Sequence, residues 1–277
     1  MPELPEVETT VRGLAQVLDG RRIKRVELRR GNLRRAFPHD LGQRLTGATV
    51  TGLGRRAKYG LIATDRGDTM IFHLGMSGRW RIDPLELGAH DHLLIETEAT
   101  DRERGRVLAL NDPRRFGSVD LVASDAVAEW PAFKALGPEP LGGAIDGKWL
   151  KARLAGRQAA IKLMLLDQRI VAGLGNIYVC EALFRARINP RKAAGRVGRA
   201  KLDALAQAIP EVLEEAIAAG GSSLRDFAAP DGELGYFSKA FDVYGREGEE
   251  CRAGCAEVVK RIVQGGRSTF YCPACQT

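Results

Sequence analysis

Apolar positions recur at helical spacing near the start of the chain. Val7, Val11, Leu14 and Leu18 share one face of Glu6–Leu18, and Gly20 ends the segment. The pattern then changes to short β-like runs at Arg22–Leu28, Ala48–Leu53, Ala57–Thr64, Thr69–Leu74, His92–Glu98, Arg106–Leu110 and Ser118–Ala123. Asp65-Arg66-Gly67-Asp68 reads as a hairpin turn between two of them. Many short strands behind a single helix predict a β-sandwich or barrel. The Gly- and Pro-dense stretch Leu136-Gly137-Pro138-Glu139-Pro140-Leu141-Gly142-Gly143 reads as a domain boundary. From about 147 to 228 the pattern is helical, with an apolar stripe of Leu202, Leu205, Ile209, Val212, Leu213 and Ile217 that Pro210 interrupts. A third stretch, about 235–277, carries the cysteines. There is no internal repeat and no low-complexity tract.

Composition narrows the class. At 277 residues, with 44% hydrophobic and 28% charged positions, the chain can bury a core without staples. No apolar run approaches the ~18–20 residues of a membrane helix. The start MPELPEVETT lacks the basic-then-apolar layout of a signal peptide, so a soluble cytoplasmic protein is expected. Lys plus Arg total 42 against 35 for Asp plus Glu, a net charge of +7. Such a balance suits a polyanionic partner. Charge alone leaves a basic enzyme without nucleic acid slightly ahead.

The cysteines sharpen the picture. Four of the five fall in the last 27 residues as Cys251-x3-Cys255-x16-Cys272-x2-Cys275. Two close thiol pairs in a chain of this kind point to one tetrahedral Zn²⁺ rather than disulfides. With four thiolates there is no open position for water, so the ion is structural. Between the pairs, VVKRIVQ, Gly265-Gly266 and RSTFY read as a β-hairpin with a glycine turn. Arg267 at its tip, near Lys260 and Arg261, is either a phosphate contact or a solvated surface arginine. Cys180 stands apart and reads as a small core residue.

The N-terminus carries a chemical opportunity. Removal of Met1 would leave Pro2 as a free secondary amine, and an α-amino group of pKa about 7.7–8.0 is partly unprotonated at neutral pH. Its attack on an aldehyde-like carbon gives an iminium, cationic without a further proton, which acts as an electron sink for elimination. Glu3 and Glu6 lie close enough in sequence to exchange protons with it. Proline at the second position is common, and taken alone it carries no assignment.

The start PELPEVETTVRGL closely resembles the bacterial formamidopyrimidine-DNA glycosylase family. So do GRRAKYGL (54–61), IFHLGMSG (71–78), NDPRRFG (111–117), LGPEPL (136–141), VAGLGNIYVCEALF (171–184), GYF (235–237), VYGREGEECR (243–252) and GRSTFYCPAC (266–275), in the family's order. The resemblance implies an α+β fold: an N-terminal β-sandwich with a leading helix over 1–135, a linker at 136–146, a helix–two-turn–helix domain over 147–234 and a four-Cys zinc-finger hairpin over 235–277. It implies base-excision repair of double-stranded DNA carrying an oxidised base. The reaction would be that of a bifunctional glycosylase and AP lyase removing 8-oxoguanine and formamidopyrimidines, by a Pro2 Schiff base and β,δ-elimination.

The resemblance also implies roles. Pro2 matches the nucleophile, Glu3 the general acid/base, Glu6 a supporting carboxylate and Lys58 the lysine of lyase chemistry and phosphate binding. Met76, Arg114 and Phe116 match a wedge that fills the gap left by a flipped base. His73, His90, Arg157, Lys162 and Asn176 match DNA contacts, with Asn176 at the turn opening a helix Ile177–Phe184. Arg267 matches the zinc-finger arginine that grips the lesion phosphates. The segment Gly220–Tyr236 matches a loop covering the flipped base. Cys251, Cys255, Cys272 and Cys275 match the ligands of one zinc ion. The x3 first pair departs from the family's x2, and a local bulge is expected there. A monomer is expected. An endonuclease VIII-like preference for oxidised pyrimidines, a non-catalytic reader of damaged DNA and a zinc-ribbon protein of the transcription or translation machinery are the alternatives. The PELPEVE start favours the purine enzyme.

Overall fold

The computed structural model describes residues 2–222, 230 and 235–277. Contacts divide the chain into two compact units, Met1–Lys134 with Ala219–Tyr236, and Ala135–Ala218 with Phe237–Thr277.

The first unit opens with helix α1 (Leu4–Leu18), whose Leu4, Val7, Val11, Leu14 and Leu18 are buried. It begins two residues before the expected Glu6, because Pro5 falls in the first turn, where its missing N–H costs nothing. Strands β1 (Ile23–Leu28), β6 (Asp91–Thr97), β7 (Val107–Asn111) and β5 (Arg79–Ile82) form one antiparallel sheet in that order. Strands β2 (Val50–Arg56), β3 (Tyr59–Thr64), β4 (Asp68–His73) and β8 (Ser118–Ala123) form the other. Ile23, Trp80, Leu93, Ile95, Leu108 and Leu110 from the first sheet meet Val50, Ile62, Met70, Phe72 and Val119 from the second in one core, so the sheets make a sandwich. The short helix α2 (Leu41–Leu45) packs against β1, and α3 (Pro131–Lys134) follows β8.

Two sequence expectations shift here. β5 was not anticipated: Arg-Trp-Arg-Ile is short and charged, and only the burial of Trp80 against Phe72 reveals its face. The expected strand from Ala57 starts at Tyr59, because Ala57 and Lys58 form a two-residue turn between paired Arg56 and Tyr59. Ala57 takes φ +52° to make it.

The second unit contains α4 (Gly147–Leu154), α5 (Ile161–Leu165), α6 (Asn176–Arg185) and α7 (Arg199–Ala218). α4 and α6 both pack on α7. Pro210 does not interrupt α7, which runs through it for 20 residues. Leu202, Leu205, Ile209, Val212, Leu213 and Ala216 are all buried, and that apolar face outweighs one lost backbone hydrogen bond. Strands β9 (Lys260–Gln264) and β10 (Arg267–Tyr271) form the cysteine-bracketed hairpin. Gly265 and Gly266 turn it with φ +54° and +73°, the backbone a two-residue type I′ turn requires.

The sequence assigned 219–234 to the helical region, whereas contacts group Ala219–Tyr236 with the first unit. Ser222 bonds Glu6, and the Pro230 carbonyl accepts from Ile82 N–H at 2.8 Å. Most of the expected covering loop, at 223–229 and 231–234, lies outside the described residues. No helix among the described residues is long and apolar enough to cross a membrane.

Gly60 tests the sandwich packing. A Cβ there would lie only 2.1 Å from Cζ of Phe72, its cross-strand partner, which is fully buried. Gly60→Ala is expected to cost about 1–3 kcal/mol by overpacking. Urea unfolding should show a lower midpoint with an unchanged m-value.

Candidate functional site

At the head of α1, Pro2, Glu3 and Glu6 are all buried, with Glu3 and Glu6 each 1% exposed. Glu3 caps the helix, and its N–H donates to Glu6 Oε2 at 2.8 Å in a capping box. The other oxygen, Glu6 Oε1, accepts from Ser222 N–H at 2.9 Å and from Ser222 Oγ at 2.8 Å. Donors therefore reach both oxygens of a carboxylate that burial would otherwise disfavour. One turn on, Glu8 pairs with Arg55 and Arg12, both at 2.9 Å.

Lys58 sits at the β2–β3 turn, and His73 ends β4 next to Tyr59, with ring centroids 4.8 Å apart. His73 Nδ1 accepts from Gly75 N–H at 3.0 Å, so the neutral ring carries its proton on Nε2. Burial, and then the charges of Lys58, Arg34 and Arg35, hold this imidazole down at about 4, against a weaker opposing pull from Asp112. Burial also raises the Tyr59 hydroxyl above its ordinary value, with Arg35 and Arg34 opposing.

Met76 and Phe116 are exposed on two loops whose backbones touch. The touch is at Gly75, where φ is +62° and any Cβ would meet the Phe116 and Gly117 backbone. Asp112, fully buried, organises the second loop: Oδ1 accepts from Ser77 Oγ at 2.7 Å and Oδ2 from Gly117 N–H at 2.8 Å. Arg115 takes φ +55°, and the Arg114 guanidinium lies over the Phe116 ring at 4.9 Å. The exposed His90 joins the same loop through its carbonyl, which accepts from Asp112 N–H at 3.0 Å. The structure thus brings Met76, Arg114, Phe116 and His90 together.

In the second unit, Asn176 is the first residue of α6 and not its cap, which is Gly175. Its Nδ2 donates to Ser268 O at 2.9 Å and to Tyr244 Oη at 3.3 Å. Lys162 is fully buried, and its ammonium bonds Ser268 O at 3.1 Å and Thr269 Oγ1 at 2.7 Å. The resemblance matches Lys162 to a DNA contact; in the structure its ammonium is buried beneath β10. Arg267, the residue before Ser268, is exposed, as is Arg157.

The four cysteine sulfurs lie within 4.8 Å of one another, with Cys251–Cys275 at 3.8 Å and Cys255–Cys272 at 3.4 Å. Tetrahedral Zn–S bonds of about 2.3 Å put sulfurs roughly 3.8 Å apart, so the donor set fits one zinc ion. The extra residue in the first pair is absorbed by a turn in which Gly254 takes φ +71° and its N–H donates to Cys251 O at 3.1 Å. Cys180 is core, packed with Phe184, Val243, Val259 and Phe270 beside the ligands.

Several residues escaped the sequence reading. Ser222 and Asp112 organise the first unit's site, and Glu181 accepts from the N–H groups of Asp242, Val243 and Tyr244 ahead of the zinc module. Arg34, on a loop tied to Gly117 O through its own N–H, adds to the positive field at His73. Only the paired arginines of RRGNLRR (29–35) carried a visible signal.

Comparison with known proteins agrees with this geometry. Residues 1–119 match the formamidopyrimidine-DNA glycosylase N-terminal domain, residues 136–228 its H2TH domain, and residues 248–277 the zinc finger found in FPG and IleRS. The chain is 67% identical over 276 residues to the formamidopyrimidine-DNA glycosylase of Novosphingobium aromaticivorans and 50% identical to that of Zymomonas mobilis, with all of each chain covered. Lactococcus lactis FPG, solved in complexes with Fapy-dG-containing DNA and with abasic-site DNA, superposes at TM-score 0.90 with 35% identity over the whole of both chains. The chain belongs to the formamidopyrimidine-DNA glycosylase family, DNA-repair glycosylases that act on damaged bases. It carries the family's zinc finger, with one structural zinc ion held by Cys251, Cys255, Cys272 and Cys275.

Two expectations follow. Since the folded His73 titrates near 4 rather than 6.5, lowering the pH protonates the unfolded chain first, and the stability this residue contributes is lost between those values. In an NMR titration, Lys58→Gln should raise the His73 pKa by removing a like charge, yet leave it below 6.5 because burial is the larger cause. Separately, elemental analysis should find one zinc per chain, lost in Cys272→Ser.

Proposed function

We propose that this chain is a bifunctional glycosylase and AP lyase for oxidised purines in double-stranded DNA, with 8-oxoguanine and formamidopyrimidines as its lesions. The observation that carries the proposal is the buried head of α1, where Pro2 precedes two carboxylates held by N–H and O–H donors. With Met1 removed, the Pro2 nitrogen is a secondary amine. Its lone pair forms a bond to the sugar C1′, the C1′–base bond breaks, and the electron pair leaves with the protonated base. Glu3 takes the proton from the amine and delivers it to O4′ as the C1′–O4′ bond opens, leaving a hydroxyl on C4′ and the iminium N⁺=C1′. That cation acidifies the C2′ proton. Its removal expels the 3′ phosphate by β-elimination, and a second elimination releases the 5′ phosphate.

Glu3 is the general acid/base of this scheme, and Glu6 fixes the Glu3 backbone. Lys58 stabilises the departing phosphate, and His73, held neutral, donates from Nε2 to the DNA backbone. Met76, Arg114 and Phe116 act as the wedge, and their exposure on two touching loops supports that role. His90, Arg157, Asn176 and Arg267 contact the backbone. Lys162 serves the DNA side indirectly, through the strand that carries Arg267.

Borohydride trapping on a duplex with one 8-oxoguanine opposite cytosine tests the proposal. A stable cross-link mapped to Pro2 is expected from protein whose mass shows loss of Met1. Its absence with zinc-loaded, Met1-free protein, on this lesion and on an oxidised pyrimidine, would overturn the lyase reading in favour of a damage-binding protein.

A further inference from the structure

The hairpin that carries Arg267 is fastened at both ends of α6, and its second fastening lies outside every motif considered so far. Gln276, 1% exposed, follows the last zinc ligand. Its Oε1 accepts from Cys272 N–H at 2.8 Å, its own N–H donates to Cys272 O at 3.1 Å, and its Nε2 donates to Ile188 O at 2.9 Å. Ile188 lies just past α6, where Ile188 N–H bonds Leu183 O and Arg187 N–H bonds Phe184 O, both at 2.9 Å. This pair of bonds is a Schellman ending, with Arg187 at φ +53°. Lys201 closes the same joint, donating to Arg187 O at 2.7 Å and to Thr277 O at 2.6 Å.

At the opposite end of α6, Asn176 and Lys162 both hold Ser268 O. Ten residues of helix, about 15 Å, separate the two fastenings. Together with Gln264 Nε2 on Pro190 O at 3.3 Å and Phe270 in one apolar cluster with Phe184, these bonds set the angle of the hairpin, and with it the direction of Arg267.

We propose that Gln276 is a positioning residue for DNA binding: it docks the zinc-bearing hairpin on the C-terminal turn of α6 and so aims Arg267 at the DNA backbone. The inference rests on the reading of Arg267 as a phosphate contact.

The test uses full-length, zinc-loaded, Met1-free protein and a duplex with a tetrahydrofuran abasic-site analogue. Gln276→Ala and Gln276→Glu are compared with Arg267→Gln and with the double variant Gln276→Glu/Arg267→Gln. The glutamate keeps the acceptor for Cys272 N–H and removes the donor to Ile188 O. Gln276→Glu is expected to retain one zinc per chain and to bind DNA about tenfold more weakly, the scale for losing a buried hydrogen bond. Its salt-dependence slope should fall by about one, as in Arg267→Gln. The single-turnover rate on 8-oxoguanine DNA at saturating enzyme should stay at the wild-type value. The double variant should bind no more weakly than Arg267→Gln alone, because both remove the same contact. Additive losses, an unchanged slope in Gln276→Glu, or zinc loss in parallel with affinity in both Gln276 variants would overturn the proposal. If Arg267→Gln itself binds as wild type does, the hairpin's phosphate role fails, and this result is distinct from a failure at Gln276 alone.

Discussion

Two carboxylates out of water at one helix end set the terms for the first unit. Glu3 and Glu6 are each 1% exposed, and a buried carboxylate is tolerated only where donors converge on it. The donors come from three levels of structure: the capping box of α1, the helix N-terminus itself, and the distant Ser222. The same arrangement fixes what precedes it. With Glu3 N–H committed to Glu6, the peptide after Pro2 is held in one orientation at the head of α1.

A second constraint is the separation of charged groups by task. Arginines that pair with carboxylates hold the fold: Arg55 with Glu8, Arg35 with Asp120, Arg185 with Glu215. Arg114, Arg157 and Arg267 remain exposed, where a polyanion can reach them. His73 belongs to neither set: burial and then the nearby cations keep it neutral, with Nε2–H left as its donor.

Local features of the fold were legible in the sequence. Of the ten strands among the described residues, all but β5 follow from period and spacing, as do the helix of Val7, Val11, Leu14 and Leu18 and the paired cysteines of the zinc quartet, because each depends on neighbours within a few residues. What escaped is tertiary. β5 is visible only once Trp80 finds Phe72, and α7 survives Pro210 only because its buried face is packed from two sides. Lys162, matched to a DNA contact by resemblance, is buried against Ser268 and Thr269, which only the fold brings to it. Ser222, Glu181 and Gln276 are ordinary polar residues whose importance lies in partners 61 or more positions away. Of the candidate site, Pro2, Glu3, Glu6 and Lys58 stand in motifs, whereas Ser222, which bonds Glu6, stands in none.

The return of Ala219–Tyr236 to the first unit has a consequence for how the protein is made. Synthesis begins at the N-terminus, and domains fold largely in the order they emerge. Yet Glu6 receives the donors of Ser222 across 216 positions, so the sandwich leaves the ribosome with that bond unmade. Closing a contact of such long range is slow compared with forming helices and hairpins. The head of α1 is therefore among the last parts of its unit to reach its final environment. A chain cut short anywhere before Ser222 would hold Glu6 without these two donors, so the setting of that carboxylate is completed late in synthesis.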